Sequence, residues 1–132
     1  MAPAVPDSLR PVSRIFTLAE ARALLPDVRR QAATVIGLRA DLAESAYALR
    51  LEEARPAGAL PEAKAAEARL AEALAWFGGQ GLELKGYAPL LLDFPADLGD
   101  GVVLLCWLEG DVDLAWWHRP ELGFAGRRPI QG

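Results

Sequence analysis

The chain has 132 residues, 52% of them hydrophobic, so a single domain with a real core is the default. A net charge of −4 and a pI near 5.0 argue against general nucleic-acid binding, which needs a basic footprint. One cysteine makes no internal disulfide, and no apolar run approaches the ~20 residues of a membrane span, so the cytoplasm is the default compartment.

Residues 1–15 open with MAPAVPDSLRP, which lacks an apolar core of signal-peptide length and reads as an extended leader. A helical hairpin is expected over 16–79. Thr17 and Glu20 have the spacing of a capping box, with Phe16 placed to staple onto Ala21, so the first helix begins at Leu18. Pro26 falls inside it and predicts a kink or a short break. Beyond Pro26 the composition favours helix to Arg55. Val28, Val35, Leu42 and Leu49 recur every seven residues as a narrow apolar seam. Pro56-Ala57-Gly58 interrupts, Pro61 opens a second helix with an Ala63–Phe77 apolar stripe, and Gly78-Gly79 stops it. Helices over 18–55 and 61–77 span roughly 55 Å and roughly 25 Å. The shorter cannot cover the longer, and a two-fold homodimer through the first helix is expected to cover the remainder.

Residues 80–132 read as a small antiparallel meander followed by a tail. Leu82–Lys85, Leu90–Phe94, Val102–Leu108 and Val112–His118 are the candidate strands, with Pro95 expected to end the second. Gly110 supplies the reversal between the last two. A two-residue loop pairs Leu108 with Asp111 and puts Trp107 on the face of Leu114, Trp116 and His118. A three-residue loop puts Cys106 there instead. The first register is favoured, because it gathers Val103, Leu105, Trp107, Leu114 and Trp116. The fold class is therefore α+β, a long antiparallel helical hairpin followed by a β-meander.

The chemistry-bearing residues gather late in the chain. His118 and Glu121 follow the last strand, Asp93 lies near the end of another, and Lys85 and Arg127 can fold onto them. These five are the candidate ligand-binding set. Asp93, His118 and Glu121 carry the donor types of a divalent-metal site, although there is no second His and no Cys pair. The favoured interpretation of the cluster is a hydrogen-bonded clasp that pins the tail. Cys106, in an apolar strand, reads as a buried inert thiol. The tryptophans read as packing residues. Gly123–Pro129, with Arg127 and Arg128, can cradle a small anion. No catalytic motif is recognisable.

FTLAEARALLP (16–26), GLELKG (81–86), LLDFPA (91–96), LCWLEGD (105–111) and WHRPELGFAGRRP (117–129) form a distinctive combination. By these motifs the chain resembles an uncharacterised prokaryotic family known only as a domain of unknown function. Trp116-Trp117 and Asp111 stand where the resemblance leads one to expect Phe-Trp and Glu. The resemblance implies a helical hairpin followed by a small sheet, and it implies no activity and no cofactor. Two functions remain open: a non-enzymatic homodimeric scaffold, or a small-ligand, anion or divalent-metal site around His118, with hydrolysis as one use of it. Neither involves nucleic acid or a membrane.

Overall fold

The computed structural model describes residues 10–51 and 59–131. Two helices, α1 (Leu18–Leu51) and α2 (Ala59–Gly79), are followed by β1 (Glu83–Tyr87), β2 (Leu90–Asp97), β3 (Val102–Leu108), β4 (Trp116–His118) and β5 (Arg128–Pro129). The strands form one antiparallel sheet in chain order. The class is α+β, as expected, with a fifth strand from the tail. The breaker at residues 56–58 and the expected helix end at Arg55 lie outside the described residues.

The N-terminus of α1 is built by the capping box. The Glu20 N–H donates to Thr17 Oγ1 at 3.0 Å, and the Thr17 N–H donates to Glu20 Oε1 at 2.8 Å. These bonds satisfy donors that the first helical turn leaves without partners. Phe16 and Ala21, the two staple residues, are both buried. The helix then runs unbroken through Pro26, so the short break does not occur. Pro26 and Arg22 are exposed, while Ala21, Leu25, Val28, Ala32 and Val35 face the core. The lost bond to the Arg22 carbonyl thus sits on the solvent side, where water can serve that oxygen, and packing of the opposite face holds the helix through the proline.

Gly78 and Gly79 do not stop α2; both lie within it. The stop is Gly81, whose φ is +91°. The Leu82 N–H reaches back to the Phe77 carbonyl at 3.1 Å and the Gly81 N–H to the Gly78 carbonyl at 3.0 Å. This is the Schellman pattern, with buried Phe77 and Leu82 supplying its usual apolar contact. A side chain at Gly81 is doubly excluded, because a Cβ there would lie 2.7 Å from Arg14 Cβ.

The helices cover one face of the sheet. Leu90, Leu92, Phe94 and Ala96 from β2, with Leu105 and Trp107 from β3, share a single core with Val28, Val35, Leu70 and Phe77. Pro95 does not end β2. The Phe16 N–H donates to the Pro95 carbonyl at 2.7 Å and the Asp97 N–H to the Phe16 carbonyl at 3.0 Å, on the side away from β3. The nitrogen of Pro95 points to that same side, beyond the last β1 residue paired with β2, so no ladder bond is lost.

The favoured β3–β4 register is not the one that forms. The Asp111 N–H donates to the Leu108 carbonyl at 2.8 Å, with Gly110 at a φ of +100°, so the tight turn is present. The chain then makes an excursion over 112–115 before β4 begins. Leu104 pairs with His118, Leu105 with Trp117 and Cys106 with Trp116. Trp116 and His118 therefore share the face of Cys106, and Trp117 shares the face of Leu105 and the helices. The excursion drops Leu114 into the core, where it is 1% exposed, and burying that leucine outweighs continuing the ladder.

Thr17→Ala should cost ~1 kcal/mol of folding stability through the lost cap, measured by denaturant melts. Gly81→Ala should cost more, since the positive φ and the Arg14 contact both oppose a Cβ.

Candidate functional site

The face of the sheet away from the helices carries the candidate site. Pairing places Asp93 (β2) opposite Cys106 (β3), and Leu104 (β3) opposite His118 (β4). Adjacent strands lie ~4.8 Å apart, so β2 and β4 are separated by roughly 10 Å across β3. The side chains of Asp93 and His118 close that gap: His118 Nε2 lies 3.0 Å from Asp93 Oδ2. Both residues are buried, at 2% and 3% exposure. The tail crosses this face, and Pro120, Gly123 and Phe124 line a cavity of about 260 Å³ together with Asp93, His118 and Lys85.

The hydrogen-bond partners restrict the protons. His118 Nδ1 lies 2.8 Å from the Arg119 carbonyl, which only accepts, so Nδ1 carries a hydrogen and donates. The remaining proton lies between Nε2 and Oδ2. Either His118 is an imidazolium facing a carboxylate, or it is neutral and accepts from a protonated Asp93. In both states the pair holds one shared proton and has no net charge. Burial pushes the Asp93 carboxyl above its ordinary range, opposed by the charge and hydrogen bond of His118. Asp93 Oδ1 is buried and has no hydrogen-bond partner among the described residues. Leaving such an acceptor unsatisfied costs about 1–3 kcal/mol.

Lys85 reaches this region through a β-bulge. Leu84 pairs with Leu92 and Gly86 with Leu91, so Lys85 is the extra residue on β1. Its Nζ pairs with Glu83 Oε1 at 2.8 Å rather than with Asp93, and the Glu83 hydrogen bond raises its pKa, with Asp93 contributing a smaller attraction. Cys106 is buried beneath the Asp93–His118 bridge, and burial pushes its thiol up to about 11, so it stays a thiol at neutral pH.

The other two candidates stand apart. The Arg127 guanidinium is stacked 4.6 Å from the Trp116 ring centre and 4.3 Å from that of Phe124. It braces the tail and does not line the cavity. Glu121 is exposed. Among the described residues no three His, Cys, Asp or Glu side chains form a group fit for a metal ion, so an Asp93–His118–Glu121 ligand set is not assembled. Within the glycine-rich tail, the Gly126 and Arg127 N–H groups bond to the Gly123 and Phe124 carbonyls, so those two donors are not turned toward an anion.

One constellation carried no sequence signal. Arg39 of α1 forms a two-pronged ion pair with Glu109, at 2.8 and 2.9 Å, and also donates to the Tyr87 carbonyl. Glu109 Oε1 accepts from the Leu90 N–H at 2.9 Å as well. These bonds hold the Glu109 carboxyl down at about 2, led by Arg39. Glu109 adjoins Gly110 and reads from sequence only as turn, and 70 residues separate it from Arg39.

The fold and the site define a small α+β domain with a helical hairpin on one sheet face and a buried Asp–His pair on the other. The chain belongs to the uncharacterized conserved protein family DUF2203, which it matches over residues 14–130. No curated protein and no solved structure matches it. No helix among the described residues is long and apolar enough to cross a membrane.

The two carboxylates respond to pH with opposite sign. The depressed Glu109 contributes stability that is present above its ordinary pKa of 4.5 and is lost as pH falls toward about 2. Asp93, raised by burial, contributes in the opposite sense, losing stability as pH rises through its folded value. Glu109→Gln should therefore lose on the order of 1–3 kcal/mol at neutral pH. In urea melts the gap to the wild type should narrow as pH falls from 4.5 toward about 2.

Proposed function

We propose that the protein is a small-ligand-binding module whose site is the cavity between the outer sheet face and the tail. The observation that carries this is Asp93 Oδ1, a buried acceptor without a partner among the described residues, in a residue that lines the cavity. A clasp evolved only to pin the tail would gain by satisfying both carboxylate oxygens or by replacing the pair with apolar side chains. A half-satisfied carboxylate is instead what a binding site retains at a cost in stability. Lys85, Asp93 and His118 form the polar wall of the site, and Arg127 acts indirectly, by holding Phe124. Among the described residues no hydrogen bond joins Cys106 to His118, whose nitrogens face the Arg119 carbonyl and Asp93, and burial holds the thiol protonated, so binding is favoured over catalysis.

Leu91 is half-buried and lines the cavity, so Leu91→Trp should fill it while leaving Asp93 and His118 in place. Native mass spectrometry after incubation with a cellular small-molecule extract should show an adduct on the wild type that is absent from the variant. Equal adducts on both, or none on either, would count against the proposal.

A homodimer is a second reading, supported by one observation. Ile36, Ala40, Ala43, Tyr47 and Leu51 lie along one stripe of α1 and are all exposed, with Tyr47 at 53% and Leu51 at 64%. From Ile36 to Tyr47 the spacing is that of a coiled-coil seam, Leu51 lies one turn further on, and a second copy related by a two-fold axis would cover the stripe. Sedimentation at micromolar concentration should give twice 14.2 kDa, and Tyr47→Glu should return the monomer.

A further inference from the structure

The geometry points to a neutral amide, carried on a flat apolar body, as the ligand class of this cavity, an assignment that rests on the ligand-binding proposal above. The head group follows from the Asp93–His118 pair. With Nδ1 committed to the Arg119 carbonyl and one proton held between Nε2 and Oδ2, Oδ1 is an acceptor in either protonation state. A ligand atom that takes this oxygen as its partner must be an N–H or O–H donor. A carboxylate or phosphate would set acceptor against acceptor.

An ammonium head is disfavoured for a separate reason. The pair has no net charge, so a buried cation would find no counter-charge there, and the Lys85 ammonium stands on the same wall. A neutral donor avoids both penalties. Lys85 has three donors and uses one on Glu83, so it can also serve an acceptor on the ligand. A donor beside an acceptor on a neutral group describes a primary amide or the amide edge of a ring.

The body follows from what adjoins the polar wall. Leu91 and Phe124 line this cavity and also an apolar groove that runs on between Tyr87, Pro89 and Leu108. Tyr87 and Phe124 are 51% and 41% exposed. Two large rings left in solvent at the rim of an apolar groove suit stacking on a flat ligand.

Benzamide, N,N-dimethylbenzamide, benzoate and benzylamine separate these requirements with one ring in common. Titrated into the 15N-labelled full-length protein, benzamide should shift the amide signals around Asp93, His118, Tyr87 and Phe124. The dimethyl compound, which lacks the N–H, should bind about tenfold more weakly or worse, and benzoate and benzylamine more weakly than benzamide. Asp93→Leu and Leu91→Trp should each abolish the benzamide shifts. The ligand class is overturned, with the site left standing, if benzoate or benzylamine binds there more tightly than benzamide. It is also overturned if dimethylation makes no difference. If none of the four probes moves those signals at millimolar concentration, the site proposal falls with it.

Discussion

The bond between His118 and Asp93 sets how the outer half of the molecule is arranged. It joins β2 to β4 over the top of β3, so it requires all three strands in one register. A slip of one residue would turn either partner to the helix face. It also needs shelter from water, because an exposed imidazole–carboxylate contact contributes little. The tail supplies that shelter, and Arg127, between Trp116 and Phe124, holds the tail in place. Strand pairing, tail path and aromatic stacking thus converge on one buried pair.

The inner half has a counterpart in the Arg39–Glu109 pair. It fixes the middle of α1 to the β1–β2 turn and to the end of β3 at once. Apolar packing between helix and sheet is not directional, and it would tolerate the helix sliding along the strands. A two-pronged guanidinium–carboxylate bond does not. The hydrophobic layer therefore supplies adhesion, and this pair sets the alignment of helix on sheet.

The local part of this arrangement was legible in the sequence. The Thr17–Glu20 capping box, the hairpin class and the Gly110 turn each depend on residues within a few positions of one another. What escaped depends on distant burial. Leu114 sets the β3–β4 register by entering the core, and nothing near it announces that. Pro26 is tolerated because of which side of α1 it occupies. Pro95 is tolerated because Phe16, far back in the chain, occupies the adjoining edge. Of the candidate site, Asp93 and His118 could be brought together from the topology of a meander. Lys85 lies by them through a bulge that alternation does not foresee, and Glu121 stays in solvent because the tail turns before it reaches the pair.

The bulge at Lys85 has a consequence for solution behaviour. A sheet edge with free N–H and C=O groups is a template on which further strands can add. Here β1 is such an edge, and the extra residue bends and twists it, while Glu83 and Lys85 place opposite charges along it. The opposite edge, β5, is two residues long and includes Pro129, which offers no N–H. Phe16 covers the stretch of β2 that β1 leaves open. The bulge and charges on one border and the short, proline-bearing strand on the other blunt both edges of the sheet, which disfavours fibrillar growth on the apolar strands β2 and β3.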